Sequence, residues 1–594
     1  MRSLLALVVV AGLVTAGCSG DSGDSGDSDE TADAGRAASE PTPSGTATSD
    51  ADAQPGFSVT VERSLNIGLV ASVVVEAEEP VRAQVTATSG DHIVETPSTA
   101  VARTTSEVAV VGMRPDRTYT LHVEVFDDAN EPVAKFDEDF TTEPLPPWIV
   151  DRDITIDPER SSPGYTVVEF DPQVPDEDPV RNQYLAAYDD GGEVVWYYTN
   201  FGTLGGVEQS ADGTLLMHYW PFGVREIDIT GRVVNQWRPQ LSATGDGDLD
   251  DDALIAGVDP DQIAQLGTIS EDRPGDAPAL PVRADWVDLT SFHHENWPMP
   301  NGNVLSLSTT NHDVTAEQRE LLCPGDPEPF DIISDVIVEH EPDGRVVRTW
   351  DLWDVIDVME FPGSSMCVND DLFAEPEHRD WTHANSVIYD ERRDAIVISS
   401  RHTDQIIALA HLDDEGPQSS VRWIIGAGAT MPFDGELPYH QHAVEVLDDG
   451  AFVLFDNGNG RPGTSVDDPD NLPYSRAVIY DVDDSSDDPA DWAASERWEF
   501  RVDADDGTPI YTGFIGDADV LANGNVLITF GGRGTFPPTP DDPLGALIVE
   551  VVPSGTSGGD IVLELDTMDG QPTTVYRSER LESFYVGDDW AARL

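Results

Sequence analysis

Three histidines stand at one position of a repeating pattern. His294, His383 and His442 each precede an alternating apolar run, and each lies eight residues before the tip of a turn: Gly302 in Pro300-Asn301-Gly302-Asn303, Glu391 in Asp390-Glu391-Arg392-Arg393-Asp394, and Gly450 in Asp448-Asp449-Gly450. Asn-Gly or Asp-Gly between alternating apolar stretches signals a β-hairpin, so each histidine opens the first strand of one. In a radial repeat, equivalent positions face a common axis and the three imidazoles would converge on it. Ser399-Ser400-Arg401-His402 ends the second strand of the third hairpin, and Asn385 follows His383 by two residues, on the same face of an extended strand. A guanidinium, an amide and several imidazoles suit a tetrahedral oxyanion such as sulfate or phosphate, because the planar fork of an arginine matches two oxygens. Three histidines could instead hold zinc or copper. Arg401 beside such an ion would repel it, and no carboxylate shares the repeat position, so the oxyanion is the better fit. The bland alternative, three histidines that merely pack, leaves their common register to coincidence.

The elements that would position these residues fill the stretch from Trp148 to Leu594, where two kinds of hairpin alternate. One is the kind already described, seen again at Ala211-Asp212-Gly213-Thr214 and Leu521-Ala522-Asn523-Gly524; the other is an outer hairpin that ends in Trp196, Trp237 or Trp350. Two hairpins make a four-stranded blade, and five pairs begin near residues 205, 292, 383, 440 and 514. Strands near 164–198, joined by the C-terminal Thr573-Thr574-Val575-Tyr576-Arg577, would supply a sixth blade. The expectation is an all-β chain whose residues 148–594 form a six-bladed β-propeller.

Residues 57–147 carry short alternating strands. Met113 to Leu121 resembles the tyrosine corner of fibronectin type III domains, and Phe140-Thr141-Thr142 resembles their last strand, which implies a fibronectin III-like β-sandwich serving as a spacer or docking module. Residues 19–56, rich in Gly, Ser, Asp, Thr and Pro, read as a disordered linker. Ahead of them Arg2 precedes an apolar run too short to span a bilayer but suited to a signal peptide. Leu13-Val14-Thr15-Ala16-Gly17-Cys18 resembles a bacterial lipoprotein box with Cys18 as the lipidated residue, so residues 1–18 are expected to direct export to the cell surface or periplasm and an N-terminal lipid anchor.

The formal charge of −81 over 594 residues, with Lys135 the single lysine, argues against nucleic acid as a partner, since phosphates would be repelled. Cys323 and Cys367, the pair left once Cys18 is set aside, are expected to form a disulfide. The acidic insertion of residues 241–281 fails as an EF-hand: Asp251 stands where the loop needs glycine, and Gly257 where it needs a bidentate glutamate.

Phe292-His293-His294-Glu295 with Pro300-Asn301-Gly302-Asn303, Asp380-Trp381-Thr382-His383-Ala384-Asn385-Ser386, Ser399-Ser400-Arg401-His402, and Gln441-His442 with Phe455-Asp456-Asn457-Gly458 resemble the motifs of bacterial arylsulfate sulfotransferases. In that family a β-sandwich precedes a six-bladed propeller. The resemblance implies transfer of a sulfuryl group from a phenolic sulfate ester to a phenolic acceptor through a sulfohistidine, with no nucleotide donor and no cofactor. It makes His442 the nucleophile, His294, His383 and Arg401 the holders of the sulfate oxygens, and Asn385 an assisting contact; the eight-residue register favours His294 over His293. Trp297, Trp381 and Phe514 are candidate aromatics for a phenolic ring. A non-catalytic surface-anchored propeller that binds a ligand or partner, or a metal-dependent hydrolase or lyase, are the alternatives.

Overall fold

The computed structural model describes residues 56–150, 152–172, 182–201, 203–220, 223–240, 284–325, 329–363, 367, 378–411, 421–504, 506–534, 543–568 and 571–587. Cys18, the linker through residue 55 and the acidic insertion 241–281 lie outside them. The described chain is almost wholly β. Its helical elements are α1 (Ala316–Leu322), α2 (Leu352–Val355) and one 3₁₀ turn, Pro489–Asp491.

The N-terminal unit is built on one long strand, Ala71–Ser89. Its first half pairs with Arg103–Val110 and its second half with Thr118–Phe126, so one strand serves two layers whose inward side chains alternate along it. Tyr119 is fully buried and its hydroxyl accepts a hydrogen bond from the Arg114 backbone N–H at 2.8 Å. The unit docks rather than merely spacing. Ile67, Leu69, Val111 and Met113 share one apolar core with Val167, Trp196 and Ile229 beyond the Pro144–Pro147 stretch. The Gly68 and Val111 amides donate to the hydroxyls of Tyr197 and Tyr585, each at 2.9 Å, and Arg114 pairs with Asp189 at 2.6 Å.

Beyond this unit lie six sheets of four or five strands. Their inner strands, in chain order, are β1 (Thr203–Gln209), β2 (His293–Pro298), β3 (Ala384–Asp390), β4 (His442–Val446), β5 (Asp517–Val520) and β6 (Thr573–Leu581). Each touches the next, and β6 touches both β5 and β1, so the six surround a central lumen. Strand β6 pairs with Tyr165–Pro172, so the sheet that holds residues 165–201 is completed by residues 573–581, as the sequence suggested. Thr155–Ile156 adds to the outer edge of the sheet that β5 opens.

Outer-hairpin tryptophans join neighbouring sheets. The indole N–H groups of Trp196, Trp237 and Trp498 donate at 2.9–3.0 Å to the carbonyls of Ile229, Pro342 and Gly558, each in the turn of the following sheet. Burial of the ring supplies the apolar gain and the hydrogen bond fixes the angle. The inner hairpins turn at Gly213, Gly302, Gly450 and Gly524, whose φ values of 85–88° are ones that other residues adopt only under strain.

Candidate active site

At the entry of the inner strands the pairing slips. Register shifts fall at Gly205/Val207 in β1, His293/Asn296 in β2, Ala384/Ser386 in β3, His442/Glu445 in β4 and Val575/Ser578 in β6. Beside these bulges His294, His383 and Ala443 adopt left-handed φ of 54°, 46° and 51°. A bulge re-aims the side chains around it, and a non-glycine residue held at positive φ is strain that the surrounding ladder maintains. Repeated at equivalent places, this distortion gathers the histidines.

The rings form a connected run. His294 stands 5.1 Å from His293 and 5.0 Å from His383, centroid to centroid; His383 lies 4.5 Å from His402, which is 6.1 Å from His440. His294, which faces His383, is the more buried of its pair, while His293 lies 3.3 Å from Asp335 behind it. His383 hydrogen-bonds through Nδ1 to the buried Asp380 carboxylate, and His402 donates from Nδ1 to the Asp380 carbonyl at 3.0 Å. Asp380, His383 and His402 have ligand-type atoms close enough to hold a metal. Both Nδ1 atoms, however, are engaged with Asp380 itself, which makes Asp380 an orienting partner for the rings.

His442 has a defined tautomer. Its Nδ1 lies 2.6 Å from Asn457 Oδ1, and Asn457 Nδ2 donates at 2.8 Å to the carbonyls of Thr512 and Ile515. Those two carbonyls fix which end of the amide is oxygen, so Nδ1 of His442 carries the proton and Nε2 keeps its lone pair. Burial, reinforced by the Arg401 charge, holds the His442 imidazolium well below the ordinary range. Burial and the neighbouring His383 do the same for His294 and for His402. Arg401 is anchored by donation from Nη2 to the Gly513 carbonyl at 2.9 Å.

Asn385 is placed differently from the expectation of simple alternation. His383 precedes β3 at positive φ and Asn385 sits in the bulge, so the two do not share a strand face by alternation. The Asn385 amide donates to the Gln441 carbonyl at 2.8 Å and so braces the segment that carries His442. Trp381 is fully buried and donates to the Phe361 carbonyl, and Trp297 packs half-buried against the core. Cys323 and Cys367 are joined as a disulfide, with Cα atoms 5.2 Å apart.

Deeper in the lumen the chemistry changes. Arg577 of β6 forms a buried ion pair with Glu295 of β2 and donates to the Asn385 carbonyl at 3.1 Å. Beyond it, Glu208 of β1, Glu445 of β4, Asp517 and Asp519 of β5 and Glu579 of β6 converge. Burial and mutual repulsion push the carboxyls of Glu445 up to about 8 and Asp517 to about 6, and raise Glu208, Asp519 and Glu579 well above the usual range. Sequence reasoning missed Arg577, Asn457 and Asp380 as working residues, although the last two stand inside quoted motifs. An aspartate three residues before a histidine was a readable signal for Asp380; nothing local marked Arg577, whose partner is 282 positions away.

The sequence model of a family described as Arylsulfotransferase (ASST) matches residues 176–577, more than half of the chain. Among curated proteins, the arylsulfate sulfotransferase AssT of Escherichia coli O6:H1 is 25% identical over 292 residues, covering 40% of this chain and 45% of that protein. AssT of Lelliottia amnigena is 27% identical over 206 residues, covering 26% and 33%. The chain thus matches less than half the length of either relative. Among solved structures, the periplasmic gluconolactonase PpgL of Pseudomonas aeruginosa matches 83% of this chain and 98% of its own at 10% identity and a TM-score of 0.30, too slight a likeness to bear on fold or function.

Proposed function

The chain belongs to the arylsulfotransferase (ASST) family, and on that premise we propose that it moves a sulfuryl group from a phenolic sulfate ester to a phenol, with no nucleotide donor, through a sulfohistidine at His442. The observation that carries the reading is the His442–Asn457 hydrogen bond, which leaves a neutral, correctly protonated imidazole beside a fixed guanidinium. Nε2 attacks sulfur, an N–S bond forms, the S–O bond to the aryl oxygen breaks and its electron pair leaves as phenolate. The acceptor phenol passes its proton, directly or through water, to the phenolate released in the first step and attacks the same sulfur; the N–S bond breaks and its pair returns to Nε2. Covalent catalysis divides one difficult transfer into two easier ones. Arg401, His294 and His383 oppose the charge on the non-bridging oxygens, and Asp380 keeps the His383 ring oriented. Asn385 acts by bracing β4.

The six sheets are, on this reading, the blades of a six-bladed β-propeller covering residues 148–594, with the docked unit at 57–147 a fibronectin III-like sandwich. Residues 1–18 direct export, and Cys18 carries a lipid that anchors the chain to the membrane through the linker 19–56. Mass spectrometry of the native N-terminus tests the anchor: an unmodified Cys18, or a start elsewhere, removes it. For the activity, the purified chain is incubated with 4-nitrophenyl sulfate and phenol. Release of 4-nitrophenol with matching formation of phenyl sulfate is expected; no turnover of any aryl sulfate would favour a binding role.

A further inference from the structure

We propose that the deep end of the lumen binds a hard divalent cation of the calcium class, held by Glu579 between Asp517 and Asp519 on one side and Glu208 and Glu445 on the other. Two sets of ligand-type oxygens, Asp517–Asp519–Glu579 and Glu208–Glu445–Glu579, each lie within 4.8 Å of one another, and Glu579 belongs to both. The five residues come from four inner strands, so their meeting is a product of the whole ring and not of one acidic loop.

An independent observation points to a ligand. Asp517 is 1% exposed and Asp519 7% exposed, yet no oxygen of either carboxyl has a partner at full hydrogen-bond geometry among the described residues: the backbone of Ala518 and Ser578 only approaches Asp517, and Asp519 meets Glu445 of the same cluster; one buried oxygen each of Glu208 and Glu579 also lacks a partner. Buried polar atoms are nearly always paired, and a buried carboxylate with neither donor nor counter-ion is among the costliest groups to leave so. The neighbouring cation, Arg577, is already matched by Glu295, with Nη2 on the Asn385 carbonyl. The deep layer therefore gathers more carboxyls than this one arginine, already paired, can neutralise.

The ligand set selects the ion. All five groups are carboxylates, without imidazole or thiolate, which disfavours zinc and copper and suits a hard cation. Calcium takes about six to eight oxygens at roughly 2.3–2.6 Å in adaptable geometry, whereas magnesium demands a near-regular octahedron and keeps water. Carboxylates on four strands satisfy the first requirement better. The site lies across the Arg577–Glu295 pair from the histidines, so the cation would tie the inner strands together and take no part in chemistry at His442. This inference does not depend on the sulfotransferase reading.

The test uses the full chain. Protein stripped with chelator is dialysed to equilibrium against calcium chloride in 0.15 M salt, and bound calcium is measured by elemental analysis beside thermal unfolding with and without calcium. Wild type should retain at least one equivalent and unfold at a higher temperature with calcium. D519N and the D519N/E579Q pair should each lose an equivalent and that shift; D519N alone decides if circular dichroism shows the pair unfolded. Wild type that retains none overturns the proposal. So does a variant that retains as much as wild type, because the calcium would then belong to the acidic surface.

Discussion

The two ends of the lumen are made by the same six strands and treat charge in opposite ways. At the mouth, burial lowers the basicity of His294, His402 and His442, and the imidazoles become neutral and nucleophilic without needing counter-ions. A few residues further along, burial raises the carboxyls of Glu208, Glu445, Asp519 and Glu579, which must find a proton or a cation. Between them Arg577 and Glu295 cancel each other. The lesson is that one low-dielectric enclosure does not favour one sign of charge: it removes charge of both signs, and residue type decides whether the neutral form is reactive or merely stored.

The largest effect that can break this picture is at the mouth. His442→Asn should abolish transfer from 4-nitrophenyl sulfate while circular dichroism stays that of the folded chain, and wild type given donor without acceptor should gain the mass of one sulfuryl group on His442. An adduct on His440, whose Nδ1 is held 3.0 Å from Asp404, would reassign the nucleophile. Next in size, Arg401→Ala should lower turnover roughly 10²–10³-fold, the usual cost of losing one oxyanion-stabilising donor. A loss below tenfold would leave the oxyanion role to the histidines alone.

Asp380→Asn sharpens the comparison within the mouth itself. The His383–Asp380 contact is charge-assisted because the Asp380 carboxyl is held ionised, and such a bond is worth about 1.5–3 kcal/mol, or roughly ten- to a hundredfold in rate if it acts in the transition state. The expected loss is in kcat with KM little changed. A rise in KM alone would mean that Asp380 only shapes the pocket.

How much of this was legible beforehand follows from what each residue depends on. The hairpins were, because alternation, Asp-Gly turns and terminal tryptophans are local, and so was the pairing of residues 164–198 with the C-terminus. The register of His294, His383 and His442 was also readable as a fixed offset to a turn. The bulges were not: a one-residue slip leaves no compositional mark, and it is what removes Asn385 from the face of His383. The deep layer was invisible for another reason. Glu208, Glu445, Asp519 and Glu579 sit singly in different strands of a chain already crowded with carboxylates, and only closure of the ring makes them neighbours.

The smallest expected effect is an absence. A free imidazole titrates near ~6.5, so a nucleophile of that kind would slow about tenfold for each pH unit below it. His442, held well below that range, should give a burst of 4-nitrophenol whose rate is unchanged from pH 7.5 to 6, followed where the phenol and its anion absorb equally. Stability should behave otherwise. His218 and His340, lowered by burial to about 3 and about 4, contribute fully above ~6.5 and lose that contribution as pH falls toward their folded values, because the unfolded chain takes up protons that the folded one refuses. Glu169, raised by burial to about 8, has the opposite sign: its contribution is complete below ~4.3 and is lost as pH rises through 8, since here the folded chain holds the proton. The two contributions oppose each other between ~4.3 and ~6.5, and above that Glu169 alone lowers the thermal midpoint toward pH 8, so the midpoint changes across the range in which the burst rate stays level. A burst that declines as pH falls below ~6.5 would show that the nucleophile titrates like an exposed histidine, and that the mouth does not exclude charge as the deep layer does.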